Sequence, residues 1–345
     1  MRAALICALT TLLLMGAPGG ARAQVFLASR PSPDFAIGPL FVRASVGPGL
    51  GPVAVDVLWG LVIPPTRSAL GMEQDLYLLW PGSVMADRPA GPPDGALAAS
   101  IKARGFTVLA EGRLPLFEQN LYPTATDTPA QPIRAGAPFV TFVRQGLRPL
   151  GLTSAATYVR IPWTPRLVNP TWLVGLRMTV SGLIKPEKAT WLQNTFAGRR
   201  YRLSLGFNDI RDQALFSMYF AHRDLAVRLA DEPSQLLVNF GDADRLRIDE
   251  VFPPATSRKP SESQPNTEVV SYFLDPSAGR TPQVLTVRFG YISGLQTWAP
   301  ILIPVLFFVL GRATGPLIER MARQVGSRVA ARVRVGWRGR PPRQR

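Results

Sequence analysis

The stretch that decides the fold is VAVDVLW, residues Val53–Trp59. It is rich in the β-branched residue valine and closes on two large apolar side chains. Such residues pack well on a pleated, half-buried surface and are depleted from long helices. This stretch therefore predicts a β-strand, and the flanking sequence shows that it has neighbours of the same kind.

Five further segments share this composition of β-branched, aromatic and other apolar residues, and each predicts a strand. They are Asp75–Trp80, Phe139–Val143, Thr157–Ile161, Val269–Phe273 and Val284–Phe289. Clusters of Gly, Pro, Asn and Asp separate many of them, and the 34 prolines are dispersed along the chain, which disfavours long helices. We therefore predict a mainly β, sandwich-like region with one or two short helices.

Two segments are compatible with these helices. Asp94 is placed to cap a helix over Gly95–Arg104, which a glycine would end. Glu187–Phe196 is a second candidate, also followed by a glycine. Residues 208–231 are ambiguous, and we favour a helical or mixed element there.

Proline-rich segments at 81–95, 122–138 and 253–266 predict loops, the last of them mobile. An internal domain boundary near residues 165–170, where two more proline clusters occur, would divide the region 24–290 into two β-domains. A single domain is the alternative, and the sequence leaves both open.

The N-terminus has the three parts of a secretory signal in order. Arg2 provides a basic start, Ala3–Met15 is apolar, and helix-breaking glycines precede the small-residue motif Ala21-Arg22-Ala23. The apolar run is too short to span a membrane. We therefore predict that residues 1–23 are a cleaved signal peptide and that the mature chain begins at Gln24.

Near the C-terminus, the 23 residues Phe289–Gly311 carry no charge. A helix needs about 20 apolar residues to cross the hydrocarbon core, so we predict a single transmembrane helix over residues 291–311. Tyr291 and Trp298 are expected at the outer interface, where amphipathic rings are favoured.

The charges orient this helix. Residues 312–345 carry ten Arg and only Glu319 as an acid, and arginine-rich flanks stay in the cytoplasm. Residues 24–290 would then be periplasmic and the protein a single-pass component of a bacterial inner membrane. The apolar residues of 315–335 recur near one helical face, which predicts an amphipathic helix on the anionic lipid surface.

The formal net charge of +16 is concentrated in that tail, because residues 24–288 carry 27 Lys and Arg against 22 Asp and Glu. A nucleic-acid-binding domain carries its basic charge on the fold itself, so no nucleic-acid partner is expected. The expected partners are the lipid bilayer and another envelope or inner-membrane protein.

Chemical motifs are few. Cys7 is the only cysteine and lies in the predicted leader, so the mature chain would form no disulfide. His222 is the only histidine and lacks an adjacent nucleophile motif. The densest acidic cluster, Asp242, Asp244, Asp249 and Glu250, is more typical of a charged turn between strands than of a calcium loop. We predict no catalytic residue, cofactor or metal ligand.

Five tryptophans could stack on sugars, although tryptophans of β-domains more often lie in the core. They are Trp59, Trp80, Trp163, Trp172 and Trp191.

These observations favour a non-catalytic, membrane-anchored periplasmic module, an accessory or assembly subunit of an envelope or transport complex. Two alternatives stay open. One is an envelope hydrolase that acts on glycan or peptidoglycan through a pair such as Asp242 and Asp249. The other is a ligand-binding sensor that signals through a membrane partner.

Overall fold

A computed structural model describes residues 22–65, 73–86, 90–122, 131–144, 155–191, 194, 198–208, 218–219, 222–279, 281–293, 297–298 and 301–315. The chain divides into two units. The first comprises Met1–Lys188 and Arg199–Tyr291, and the second comprises Ala189–Gly198 and Ile292–Arg345. The predicted leader, apart from Arg22 and Ala23, and the predicted tail helix at 315–335, apart from residue 315, lie outside the described residues.

The first unit is mainly β, as predicted. Its strands are β1 Arg22–Ala28, β2 Ala36–Val46, β3 Val53–Val62, β4 Leu76–Pro81, β5 Val84–Met85, β6 Phe106–Asn120, β7 Gln131–Arg144, β8 Ala156–Ile161, β9 Trp172–Val180, β10 Ile184–Pro186, β11 Tyr201–Phe207, β12 Ser234–Gly241, β13 Leu246–Phe252, β14 Ser257–Pro260, β15 Thr267–Phe273 and β16 Gln283–Tyr291. All six predicted strands are confirmed, with boundaries shifted by a few residues.

Within the described residues these strands form one 16-stranded mixed sheet. Its order is β13-β16-β11-β1-β4-β8-β7-β6-β9-β3-β2-β12-β15-β14, with β10 paired to β11 and β5 paired to β9. The pairs β1–β11 and β2–β12 are parallel, and the others are antiparallel. Strand β9 follows residues 165–170 but pairs with β3 and β6, which precede them. The segment considered as a boundary therefore lies inside one sheet.

Strand β1 joins two parts of this sheet. Its first residues pair with β11, as in Gln24 opposite Phe207, and its last residues pair with β4, as in Phe26 opposite Leu78. Because side chains alternate between the two faces of a strand, those of β1 enter two different apolar clusters, with Phe26 in the larger and Val25 in the smaller.

The larger core lies between strands that are far apart in the sheet order. The rings of Phe240 on β12 and Phe289 on β16 are 4.8 Å apart. The hydroxyl of Tyr291 donates to the carbonyl oxygen of Gly241 at 2.9 Å. The sheet therefore curves so that its two ends pack face to face, which is compatible with a sandwich.

Helix α1, Gly95–Ala103, covers the smaller core with Leu97 and Ile101. Asp94 caps it as predicted, accepting hydrogen bonds from the backbone N–H groups of Ala96 and Leu97. The second predicted helix is only partly observed. Glu187–Thr190 is not helical, whereas Trp191 and Asn194 are.

Residues 208–231 contain a helical pair at 218–219 and a 3₁₀ turn, Arg223–Leu225, among the residues described there. All three proline-rich loops were predicted too long, because Val84–Met85, Gln131–Arg144 and Ser257–Pro260 are strands. In the last two strands, the prolines fall where a neighbouring strand is absent from one side, so the missing N–H breaks no ladder bond there.

The second unit contains helix α2, residues 301–315. None of the helices described by the structure combines the length and apolar character needed to cross a bilayer. Tyr291, the first residue of the predicted helix at 291–311, instead ends β16, and its hydroxyl donates to the backbone of β12.

Candidate functional site

His222 is half-buried and hydrogen-bonded to an arginine. Its Nε2 lies 2.7 Å from Nη1 of Arg104, the residue that caps the C-terminus of α1. Because arginine can only donate, Nε2 must accept and the neutral ring carries its proton on Nδ1. Burial lowers the pKa of His222, Arg104 lowers it further, and Asp224 partly opposes both. The lone pair a general base would need is therefore already engaged.

Arg104 has partners on three elements. Besides His222, it donates to the sulfur of Met218 at 3.4 Å and bonds to the hydroxyl of Tyr158. Tyr158 stacks on Tyr77 at 4.9 Å, and burial raises its pKa well above the usual value. This group fastens the segment around 218–225 to α1 and to strands β4 and β8, which is a structural role.

Both carboxylates of the pair considered for a hydrolase, Asp242 and Asp249, contact arginines. Asp249 on β13 makes ion pairs with Arg200 and, at 2.9 Å, with Arg247. Asp242 begins the turn between β12 and β13 and lies 3.4 Å from Nη1 of Arg245. The cluster is thus a charged turn leading into an edge strand. Among the described residues, no group of three or more His, Cys, Asp or Glu side chains is arranged to hold a metal ion.

A second set of ion pairs lies on the strands beside it. Oε1 of Glu187 lies 2.9 Å from Nη2 of Arg202, and Oε2 of Glu187 lies 2.6 Å from Nε of Arg288. The side chain of Glu187 is largely buried, whereas Glu250, 4.0 Å from Arg288, is exposed. Glu187 therefore neutralises two arginines of neighbouring strands β11 and β16, and Glu250 contributes little.

The tryptophans do not form a sugar-stacking platform. Trp59 and Trp80 are fully buried in the larger core, so neither ring is accessible to a sugar. Trp163 is partly buried against that core, and Trp172 is covered by the guanidinium of Arg166 at 4.2 Å. In the second unit, Trp191 is 72% exposed.

One groove is formed in the first unit by the turn before β2, the end of β3 and residues 224–231, with a volume of about 630 Å³. Phe35 and Ile63 contribute apolar surface, and Asp34, Asp231 and Arg228 provide charge at its rim. Its walls are tied together by backbone hydrogen bonds, including Ile37 N–H to the Arg228 oxygen at 2.8 Å. The groove is preformed, but its charged residues are exposed.

Helix α2 has an unusually apolar surface for an exposed element. Eight of the nine large apolar side chains between Ile301 and Leu310 are 48–71% exposed, and the ninth, Ile303, is partly buried. The five consecutive residues 306–310 are Leu, Phe, Phe, Val and Leu. At 3.6 residues per turn, such a run covers the whole circumference of the helix. This surface is the strongest candidate for a functional contact.

Gln24 is the most unusual polar residue of the core. It is fully buried, and neither atom of its side-chain amide has a hydrogen-bond partner among the described residues. Its carbonyl oxygen accepts from the backbone N–H of Asn208 at 3.0 Å. Buried amide groups are nearly always hydrogen-bonded, so this residue needs an explanation.

Sequence analysis did not single out Arg104, Arg160 or Glu187. Arg160 bonds Asp75 at 2.6 Å and Asp94 at 3.1 Å, over separations of 85 and 66 residues. Contacts over such separations leave no local pattern, and only a knowledge of strand pairing could have indicated them.

No known family model matches the chain, and neither does any curated protein sequence. Solved structures match at low identity. Aminopeptidase A of Legionella pneumophila in complex with aspartic acid is 8% identical, with a TM-score of 0.29, over 77% of this chain and 23% of its own. Yeast LTA4 hydrolase with bestatin is 10% identical, with a TM-score of 0.34, over 83% and 33%.

An M1 zinc metallopeptidase from Deinococcus radiodurans is 11% identical, with a TM-score of 0.27, over 76% of this chain and 43% of its own. This chain therefore spans less than half the length of each of these three proteins. At these TM-scores the similarity supports no argument about activity.

Proposed function

We propose that this chain is a non-catalytic, membrane-anchored periplasmic module that serves as an accessory or assembly subunit of an envelope or transport complex. The observation that carries the proposal is the apolar surface of α2, residues 301–315. A helix that is apolar on all sides is stable only when lipid or other protein surrounds it.

Lipid is the environment that the flanking sequence favours. Since β16 ends at Tyr291, the uncharged run available to an anchor is residues 292–311, which follow the last strand directly. Twenty residues of helix extend about 30 Å, the thickness of the hydrocarbon core. The ten arginines that follow place the C-terminus in the cytoplasm and the first unit in the periplasm.

The state of the ionisable residues supports a non-catalytic role. His222 accepts from Arg104, and Asp249 is held between Arg200 and Arg247. A general base needs an available lone pair, and a carboxylate pair needs one member to hold a proton near neutral pH.

The anchor would also limit the reach of the module. The uncharged run begins at residue 292, directly after β16, so no polar linker separates the sheet domain from the proposed anchor. Tethering of this kind raises the effective concentration of a membrane partner to about the millimolar range. A weak docking surface would then suffice.

Complementation of a deletion strain tests the proposal. Three forms are compared: the full chain, a secreted domain that ends at Ser293, and the same domain fused to an unrelated anchor of equal orientation. We expect the first and third to restore the phenotype and the second to fail, because only the second loses the tether.

Carboxylate variants provide the control for the enzyme alternative. Asp242→Asn and Asp249→Asn should complement whenever the protein accumulates, which immunoblotting checks. A free domain that complements fully, together with an inactive carboxylate variant that accumulates normally, would exclude the docking module and favour the hydrolase.

A ligand-binding sensor is the second candidate, and the groove beside Phe35 is the observation that favours it. Ala36 lines this groove, so Ala36→Phe would fill part of it. A sensor should lose function on this change at normal protein levels, whereas a docking module should keep it.

A further inference from the structure

We propose that Gln24 is a modification site, where the mature N-terminus closes to a pyroglutamyl lactam; this rests on the leader cleavage proposed after Ala23. The structure places this glutamine in β1, between β11 and β4 in the sheet. The residue is 0% exposed, and its amide lacks a hydrogen-bond partner among the described residues.

The side chain faces the larger core. Side chains of a strand alternate between faces, and Phe26 and Ala28 belong to the larger cluster while Val25 and Leu27 belong to the smaller. Gln24 continues the series of Phe26. A primary amide there has two donor hydrogens and an acceptor oxygen in apolar surroundings, which is unfavourable.

Cleavage would add a charge at the same residue. A free α-amine is largely protonated at neutral pH, since its reference pKa is about 7.7–8.0. Cleavage also removes the pairs that Arg22 and Ala23 make with Leu205 and Gly206 of β11. The pairing of Val25–Ala28 with β4 stays, so the new ammonium would begin a strand that remains inside the sheet.

Ring closure removes the charge and leaves fewer polar groups to bury, in one intramolecular step. The α-amine nitrogen bonds to the side-chain carbonyl carbon Cδ, the bond from Cδ to the amide nitrogen breaks, and that nitrogen leaves as ammonia. No oxidant, reductant or second substrate is required. The product is a neutral lactam with one N–H and one C=O, in place of an ammonium and a primary amide.

The backbone contact that fixes the start of the strand is compatible with the ring. The main-chain oxygen of Gln24 accepts from the N–H of Asn208 at 3.0 Å and takes no part in the reaction. We place closure before β1 is buried, because an extended strand holds the side chain away from its own amine.

Mass spectrometry of the protein recovered from membranes tests the inference. Free amines are first labelled on the denatured chain, and trypsin then releases the peptide Gln24–Arg43, because Pro31 prevents cleavage after Arg30. We expect this peptide without a label and lighter than its glutamine form by one ammonia. Labelling before digestion excludes ring closure during sample preparation.

A labelled Gln24 overturns the modification and leaves the cleavage site standing. A chain that starts at any other residue overturns both, and the docking proposal is then judged by complementation alone. The matched variant Gln24→Leu cannot form the ring and places an apolar side chain of similar size in the core. It should start with a labelled residue 24; a blocked amine in this variant would show that another modification is responsible and overturn the proposal.

Discussion

Placing two arginines on α2 should release the protein from the membrane. Leu302 and Val305 lie three residues apart, on one side of the helix near the centre of the run 292–311, and are 49% and 54% exposed. Replacing both, as Leu302→Arg with Val305→Arg, introduces two charges into the apolar stretch 301–310. The rest of the chain is unchanged, so the sheet domain should fold normally.

The size of the effect follows from the helix composition. The nine large apolar residues of 301–310 together favour insertion by roughly 3–5 kcal/mol on the biological scale. Each exchange of Leu or Val for Arg costs about 3–4 kcal/mol, and therefore two cost about 6–8 kcal/mol. The balance for the anchor thus changes sign.

The assay is the share of protein that resists extraction of membranes with alkaline carbonate. The wild type should stay in the pellet, and the double variant should move largely to the soluble fraction. Ser263→Arg with Gln264→Arg, in an exposed loop of the sheet domain, adds the same charge and should behave like the wild type. A double helix variant that resists extraction as well as the wild type would refute the anchor.

Three further predictions concern the sheet domain. Glu187→Ala should lower the free energy of unfolding by about 1 kcal/mol, and Glu250→Ala by less than about 0.5 kcal/mol, because only Glu187 joins two arginines at close range; equal losses in urea titrations would contradict this. Because the pKa of His222 is lowered in the folded protein, the unfolded chain binds more protons at mildly acidic pH. The free energy of unfolding should therefore decrease as pH falls below about 6.5. Urea titrations at neutral and mildly acidic pH should show a smaller acid loss for His222→Gln than for the wild type. Gly290→Ala should cost about 1–3 kcal/mol, because a Cβ would lie 2.6 Å from a backbone oxygen, whereas Gly47→Ala meets no atom within 4 Å and should be tolerated.

Strand content was predictable because it depends on local composition. Val53–Trp59 and Val284–Phe289 are both rich in β-branched residues, and both lie in strands of the sheet. The failures were proline-rich segments. In β7, Pro132 and Pro138 pair with β6, but β8 pairs only with Phe139–Phe142, so the prolines lie where β7 has a single neighbour. Local sequence does not show which side of a strand is unpaired.

The candidate contacts were predictable to different degrees. The apolar run of α2 is continuous in sequence, so its unusual composition was evident before its exposure was known. The arginine partners of His222 and Asp249 could not be predicted from local sequence, because Arg104 lies 118 residues from His222 and Arg200 lies next to another strand, β11. These distant partners show that both side chains take part in contacts with arginine within the sheet domain.

The contrast between these two kinds of residue is itself an argument about function. In the sheet domain, Asp249, Glu187 and His222 each interact with arginine, and such contacts stabilise a fold. On α2, by contrast, apolar side chains are exposed over the full circumference. Apolar surface that the fold does not bury is a free-energy source for binding to lipid or protein, at about 25 cal/mol per Å² removed from water. The exposed apolar surface of α2 is therefore the part of the described chain from which association would draw free energy, and the experiments on α2 address it most directly.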